Sequence, residues 1–401
     1  MICHRHDFCK ISISICQQCK SMKNRILFIE NSTHITGALK AIVNVAYDLR
    51  NDYSFVFLLP KNSKARFWIE NYRCFEIREI PLMEISRRLS SVLKYLPILL
   101  FNTIKFKRLL RHDKIDIIHS NDLYNMLAVT YRMMGGRKPY VCHIRFLPNR
   151  FPSYIFNFWL QRHLRLAENV IVVSRHLKGQ LPVNQKIVCI PDRPPLVEKY
   201  PSEIKKVKKN YTFLYLSNFI PGKGQDHALV AFSKFCKDIS GWKLRFVGSD
   251  MGLKRNKNYK KVLQQDAIRL GLDNKIEWID FVEEVEWEYK NADTVLNFSE
   301  SESFSMSCLE ALYYGRPIIA TNSGGPVEII DHNETGLIVG NKNIVEMADA
   351  MKLLAKDDKL KQRLGMEGRR RSREKFSLEK TSYRIREIYN KMLTNSSIST
   401  S

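Results

Sequence analysis

The sequence predicts an α/β protein of two doubly wound halves, each a parallel sheet covered by helices on both faces. Three observations predict it. The chain has 401 residues, more than one hydrophobic core usually serves. Short, nearly continuous apolar runs alternate with longer segments of helical periodicity, the pattern of strands buried on both faces. That rhythm breaks once, at Asp192-Arg193-Pro194-Pro195 and the charged stretch to Asn210, and then restarts.

Taken in order, residues 1–21 are expected to be a disordered or wrongly included leader. Met22-Lys23-Asn24-Arg25-Ile26-Leu27-Phe28-Ile29 reads as a natural start running straight into a strand. Cys16 and Cys19 form one C-x2-C, and Cys3, His4, His6 and Cys9 supply only irregularly spaced further zinc ligands, so a metal site there is the weaker reading. Strands are predicted at 25–29, 54–59, 115–119, 140–144, 169–173 and 186–190. After the first of these, a Gly-containing turn at 35–38 leads into a helix with Leu39, Ile42, Val43, Val45, Ala46 and Leu49 at helical spacing. Residues 82–111 read as a basic, amphipathic helical pair interrupted by Pro97. The second half continues with strands at 211–216, 243–247, 275–279, 293–298 and 317–321. A last helix spans 378–392, with Ile385, Ile388 and Tyr389 on one face. The domain plan is a first domain over 22–195, a linker over 196–210, a second domain over 211–375, a terminal helix over 376–393 and a disordered tail over 394–401. Two such halves place a binding cleft between them, at the carboxyl ends of the strands.

Composition narrows the function. Hydrophobic residues make up 44% and charged residues 26%, enough apolar material for two cores. No apolar run approaches the roughly 18–20 residues that span a bilayer. The first 20 residues lack the apolar core of a secretory signal. A cytoplasmic protein with reduced cysteines is therefore expected. The net charge of +24 is unevenly placed: residues 1–200 hold 32 Lys or Arg against 14 Asp or Glu, whereas residues 201–401 hold 33 against 27. The basic first half points to an anionic partner: nucleic acid, a membrane surface or a phosphorylated substrate.

The most informative stretch is 299–330. Glu302 and Glu310 bracket the entry to a helix expected to begin near Ser303, and an apolar strand then runs into Gly324-Gly325-Pro326. Free backbone N–H groups beside helix starts and carboxylates suit a ligand that is both anionic and rich in hydroxyls, as a nucleotide-sugar is. Lys223, in Pro221-Gly222-Lys223-Gly224 at a strand end, can offer a diphosphate a flexible ammonium; the alternative is a solvated loop charge. Cys308 has no base motif near it and reads as core packing.

Five elements occur in the order found in the retaining, GT-B-fold glycosyltransferases of family four. They are Leu216 to Asp226, Arg245-Phe246-Val247-Gly248, Glu302-x7-Glu310, Gly324-Gly325-Pro326-x-Glu328 and Thr335-Gly336-Leu337. The first half matches more loosely, through Thr36-Gly37-Ala38, Asp116-Ile117-Ile118-His119 and Val172-Val173-Ser174. The chain resembles that family from residue 25 onward, in its bacterial surface-polysaccharide branch. The resemblance implies a nucleotide-sugar donor and transfer of a hexose with retention of configuration to a growing, lipid-linked glycan of the lipopolysaccharide or capsule kind. It implies no cofactor and no metal, and a last helix that crosses back onto the first domain. Glu310 would hydrogen-bond the ribose, and Glu302 would sit beside the transferred sugar. Phe304 and Ser305 would offer amides, and Gly324 and Gly325 close backbone approach, while Glu328 would either cap the next helix or touch ligand. Gly37 would face the sugar phosphate. Asn218 stands where the family usually places an arginine on the diphosphate, leaving Arg316 or a first-domain arginine to compensate.

Arg145 falls where many members have a histidine near the reacting sugar, with His143 two residues earlier on the same strand face. Arginine cannot act as a base but can hold phosphate charge. His143 and His119 read either as site residues pointing to the cleft or as satisfied core histidines.

Residues 82–111 carry Arg87, Arg88, Lys94, Lys105, Lys107, Arg108 and Arg111 against the single acid Glu84, interleaved with apolar residues. The segment suits an anionic membrane surface, which would make the protein peripheral on the inner face of the cell membrane; the alternative is a core-packed helix with a solvated basic face. A nucleic-acid-binding protein is the rival from another class, disfavoured because finger spacings, an aromatic sheet signature and a KH-type loop are all missing. A different nucleotide-sugar enzyme or a phosphorylase on the same fold is the nearer alternative.

Overall fold

The computed structural model describes residues 23–82, 89–194 and 211–398. The leader with its cysteines, Arg87 and Arg88, the linker over 196–210 and the last three residues of the tail lie outside the described residues, and so do the side chains of 89–94 and 396–398.

Two sheets form, and every strand pair in both is parallel. The first contains β1 (Arg25–Glu30), β2 (Ser54–Pro60), β3 (Glu76–Ile80), β4 (Ile117–Asn121), β5 (Tyr140–Ile144), β6 (Asn169–Val172) and β7 (Ile187–Cys189), in the order β3-β2-β1-β4-β5-β6-β7. The second contains β8 (Tyr211–Leu216), β9 (Trp242–Val247), β10 (Ile276–Ile279), β11 (Thr294–Asn297), β12 (Ile318–Thr321) and β13 (Leu337–Val339), in the order β10-β9-β8-β11-β12-β13. Each is a doubly wound sheet with its order reversing beside its first strand, at β1/β4 and at β8/β11. Crossovers diverge there, leaving a crevice at the carboxyl ends.

Alternate residues of β1 serve opposite faces. Ile26 and Phe28 pack with the helix Gly37–Asp48, while Leu27 and Ile29 pack with Phe106, Leu127 and Leu160 of the helices on the other side. The final helix, Arg384–Ile398, is entered through a π-helical turn, Glu379–Tyr383. It lies on the first sheet and buries Ile385, Ile388, Tyr389 and Met392 against that core. Each such side chain contributes roughly 1.5–3 kcal/mol, so this docking secures the return of the chain to the first domain.

Two expectations change. The segment expected as a Pro97-interrupted pair is one continuous helix, Leu89–His112. Pro97 sits on its exposed face, where the carbonyl that loses its partner can reach water. The helix expected to begin near Ser303 begins instead at Met306.

Candidate functional site

The loops at the carboxyl ends of the second sheet are built around glycines that contact protein. Gly224 has φ +76°, and a Cβ there would lie 2.0 Å from the Phe298 carbonyl oxygen, so only glycine lets the loop after β8 close onto β11. The Tyr215 hydroxyl donates to the Lys223 carbonyl at 2.5 Å and accepts from the Phe298 amide at 2.8 Å. With its backbone so pinned, Lys223 places Nζ 2.8 Å from Glu302 Oε1. The lysine is about a third exposed and the glutamate nearly buried, so the pair itself adds little stability. Its value is positional: an ammonium stands at the crevice beside the second sheet's reversal point.

Glu302 lies in an extended loop rather than on the helix. Its amide donates to the Ser323 carbonyl (2.9 Å), and its carbonyl accepts from the Gly325 amide (2.8 Å). A Cβ on Gly325 would fall 2.3 Å from the Phe304 Cα, and one on Gly324, where φ is +105°, would fall 2.5 Å from the His176 ring. The two glycines therefore let this loop and a first-domain histidine lie against them. Ser305, with φ +98°, is the N-cap of Met306–Tyr313, and its Oγ accepts the Cys308 amide at 3.4 Å. The amides of Phe304 and Ser305 thus lie ahead of the helix, at a strained turn beside Glu302. Phe304 itself is buried against Phe376. Ser303 does not cap the helix; its Oγ donates across the cleft to the Arg145 carbonyl at 2.6 Å.

Glu310 is 4% exposed and accepts the Tyr289 hydroxyl at 2.9 Å. Burial raises its pKa, and the charge of Lys40 and the Tyr289 hydrogen bond oppose the rise. Burial pushes the Cys308 thiol up to about 12, which makes it core and not a nucleophile. The Asn218 amide oxygen accepts from the Ser249 amide (3.1 Å), so the side chain ties two loops together.

Facing these loops, the carboxyl ends of β1, β4 and β5 hold a buried polar network. Asn121 donates to Glu30, and Arg145 Nε donates to Asn121 Oδ1 at 2.6 Å. Arg145 Nη1 donates to both Asp192 oxygens, at 2.7 and 2.6 Å, with both side chains under a tenth exposed. Its guanidinium is thus engaged by Asp192, and in this arrangement Arg145 holds strand ends together. Because arginine only donates, the 3.3 Å contact from its Nη2 makes His143 Nδ1 an acceptor and puts the imidazole proton on Nε2. Burial, with Arg145 next, drives the His143 pKa well below 6.5. Asp122, which accepts the Arg145 amide at 3.1 Å, is raised to about 7 by burial. His119 turns away from the cleft, under the final helix, with Nδ1 2.6 Å from the Tyr389 hydroxyl and its ring against Phe28.

Two further contacts join the halves. Gly37 begins its helix opposite Met306, whose Cγ would lie 3.4 Å from a Cβ there. Glu328 caps a helix, but one in the first domain: its carboxylate accepts the amides of Arg175 (3.0 Å) and His176 (2.5 Å) at the start of Arg175–Gly179. Arg316 donates to the Lys290 carbonyl at 3.0 Å and so is held by its own domain. Sequence reasoning missed Glu30, Asn121, Asp122, Asp192, Tyr289 and Lys40. The usable signal was a polar residue ending an otherwise apolar strand, as in Phe28-Ile29-Glu30 and Ser120-Asn121-Asp122.

Residues 197–371 match a family model described as glycosyl transferases group 1, and residues 73–191 match one described as glycosyltransferase family 4. An uncharacterized glycosyltransferase of Haemophilus influenzae is 27% identical over 374 residues, 90% of this chain and 98% of that protein. An alpha-1,3/1,6-mannosyltransferase of Dictyostelium discoideum is 27% identical over 173 residues, 43% of this chain and 38% of the relative. An exopolysaccharide phosphotransferase of Streptomyces coelicolor is 32% identical over 151 residues, 37% of this chain and 15% of the relative. The chain therefore spans well under half the length of these last two. Among solved structures, Anabaena HepE in complex with UDP-glucose superposes with a TM-score of 0.79 at 18% identity, covering 92% of this chain and 99% of that one. Sucrose-phosphate synthase of Thermosynechococcus elongatus gives 0.74 at 18% identity, covering 93% and 100%. At these identities the likeness shows the fold.

Proposed function

We propose that the chain is a GT-B-fold glycosyltransferase that uses a nucleotide-sugar donor, and that it is a retaining hexosyltransferase that extends a lipid-linked cell-surface glycan. The observation that carries this reading is the Lys223–Glu302 contact at 2.8 Å, with buried Glu310 on the helix that follows, at the carboxyl ends of the second sheet. The donor's diphosphate would compete with Glu302 for the Lys223 ammonium, and the ribose hydroxyls would donate to Glu310. In the transfer, the bond from the sugar's anomeric carbon to the phosphate oxygen breaks. The acceptor oxygen bonds to that carbon on the face the diphosphate leaves, and the acceptor's proton passes to a phosphate oxygen. Lys223 and the amides of Phe304 and Ser305, in the turn just ahead of the helix, would gather the growing phosphate charge. The neutral His143 and the Arg145 network would shape the acceptor side. The HepE complex with UDP-glucose supports this donor class.

Calorimetry with UDP-, GDP-, ADP- and dTDP-sugars tests the reading. One of the four is expected to bind, and Glu310→Ala is expected to weaken that binding by about 1–3 kcal/mol through loss of the ribose hydrogen bonds. If none of the four binds, the proposal fails.

Membrane attachment through residues 82–111 is part of the same proposal. Among the described residues no helix is long and apolar enough to cross a membrane. The helix Leu89–His112 packs inward through Leu99, Phe106 and Leu110. Outward it exposes Leu96 (59%), Leu100 (44%), Phe101 (53%) and Ile104 (47%), followed by exposed Lys105, Arg108 and Arg111. A core-packed helix with a merely solvated basic face would have no reason to present four large apolar side chains. This pattern supports peripheral attachment on the inner face of the cell membrane, beside a lipid-linked acceptor. Leu100→Glu with Phe101→Glu is expected to release the protein from anionic vesicles, and rising salt is expected to weaken binding of the unaltered chain. Retention by vesicles under both conditions, or equal binding to oligonucleotides, would end this part of the proposal.

A further inference from the structure

A nucleoside diphosphate carries more charge than one lysine balances, and the donor site as described offers it one second-domain side-chain cation, Lys223. Asn218, Arg145 and Arg316 are each engaged elsewhere, with Ser249, with Asp192 and with the Lys290 carbonyl. Lys40 is different. It is the fourth residue of the helix Gly37–Asp48, whose first residue faces Met306 across the cleft. Its Nζ lies 6.0 Å from the ring centroid of Phe281, a residue 37% exposed just beyond β10. Its charge is also felt at buried Glu310. Among the described residues the contact of its ammonium is with the Phe281 ring and with no carboxylate. Lysine is a point charge on a flexible stem, able to move between partners a few ångströms apart.

We propose that Lys40 is the second cation of the donor site, a first-domain ammonium that binds the donor's diphosphate from the side opposite Lys223. This rests on the reading of the cleft as a nucleotide-sugar site. Each carboxylate of the Glu302-x7-Glu310 block feels a lysine, one from each domain: Lys223 pairs with Glu302, and the charge of Lys40 reaches Glu310. A diphosphate lying along the start of Met306–Tyr313 draws both lysines to itself, so one ligand joins the two domains. The first domain thereby supplies the charge that an arginine at position 218 would bring. Because Lys40 responds to phosphate and not to the base, it makes binding depend on the number of phosphates.

The test is calorimetry on the full chain with the nucleoside diphosphate that binds it and with the matching monophosphate, at two salt concentrations. Lys40→Met is expected to weaken the diphosphate on the order of 10- to 100-fold, as loss of a charge-assisted contact does. It should weaken the monophosphate far less and flatten the salt dependence. Lys40→Arg is expected to retain most of the affinity, and Lys61→Met, an exposed charge on the same domain, to change neither ligand. Unaltered discrimination between diphosphate and monophosphate in Lys40→Met overturns the proposal. Equal loss of both ligands also overturns it, since Lys40 would then act through Glu310. A native chain that binds none of the nucleoside diphosphates overturns the donor reading itself, and this is seen before any variant is compared.

Discussion

Lys223→Ala is expected to lower kcat for sugar transfer by about 10²- to 10³-fold, while donor affinity changes much less. The figure is that for removing one positioned donor of charge from a site where negative charge develops. The distinction between kcat and affinity follows from the proposed site. In binding, the diphosphate exchanges with Glu302 for the ammonium, one anion for another, so the ground-state gain is small. As the anomeric bond breaks, charge grows on the phosphate but not on Glu302, and the contact strengthens only then. Steady-state kinetics with calorimetry on the same variant separates the two terms. A fall in affinity as large as the fall in kcat would mean that Lys223 binds ground state and transition state alike. Arg145→Ala serves as the contrast: it strands Asp192 and leaves Asn121 short of a donor, so its main effect should be on unfolding.

Asp48→Ala is expected to cost about 3–5 kcal/mol of stability, the range for breaking a buried ion pair by removing one partner. Asp48 and Arg193 are 2% and 8% exposed at the side chain, and Arg193 Nε and Nη2 each meet a carboxylate oxygen at 2.5 Å. Ser382, in the π-helical turn, donates to the same carboxylate, and Thr381 Oγ1 donates to the Pro191 carbonyl at 2.8 Å. The outgoing chain at 191–194 and the returning chain at 379–383 are thus tied to one residue at the end of Gly37–Asp48. Removing the carboxylate leaves Arg193 buried and unpaired and loosens both ties together. Asp48→Asn, which keeps hydrogen-bond acceptance, should cost less. Urea unfolding of the three chains checks this, and a loss under about 1 kcal/mol for Asp48→Ala would show that water reaches Arg193.

Strands buried on both faces were the most legible part of the chain. Residues 140–144 and 211–216 form strands with the boundaries read from the sequence. Two strands were missed, both at sheet edges: Leu337–Val339 is only three residues long, and in Glu76–Ile80 the residues Glu76, Arg78 and Glu79 form ion pairs with Arg25, Asp113 and Arg66, so its sequence shows no apolar run. The strand expected at 115–119 lies at Ile117–Asn121, because Ser120 and Asn121 extend it into the polar network. Their polarity argued locally for a loop.

Apolar periodicity and the single break near residue 192 determined two doubly wound halves, because each depends on neighbours within a helical turn or a strand. What Arg145, Asn218, Glu328 and the glycine pair touch was decided only by tertiary structure. Arg145 reaches Asp192 across 47 residues, Arg193 reaches Asp48 across 145, and Ser382 reaches Asp48 across 334. A charge or a glycine at a strand end announces that something polar or close-packed lies opposite. Which partner fills that place depends on how the crossovers bring distant strand ends together, and no local pattern encodes it.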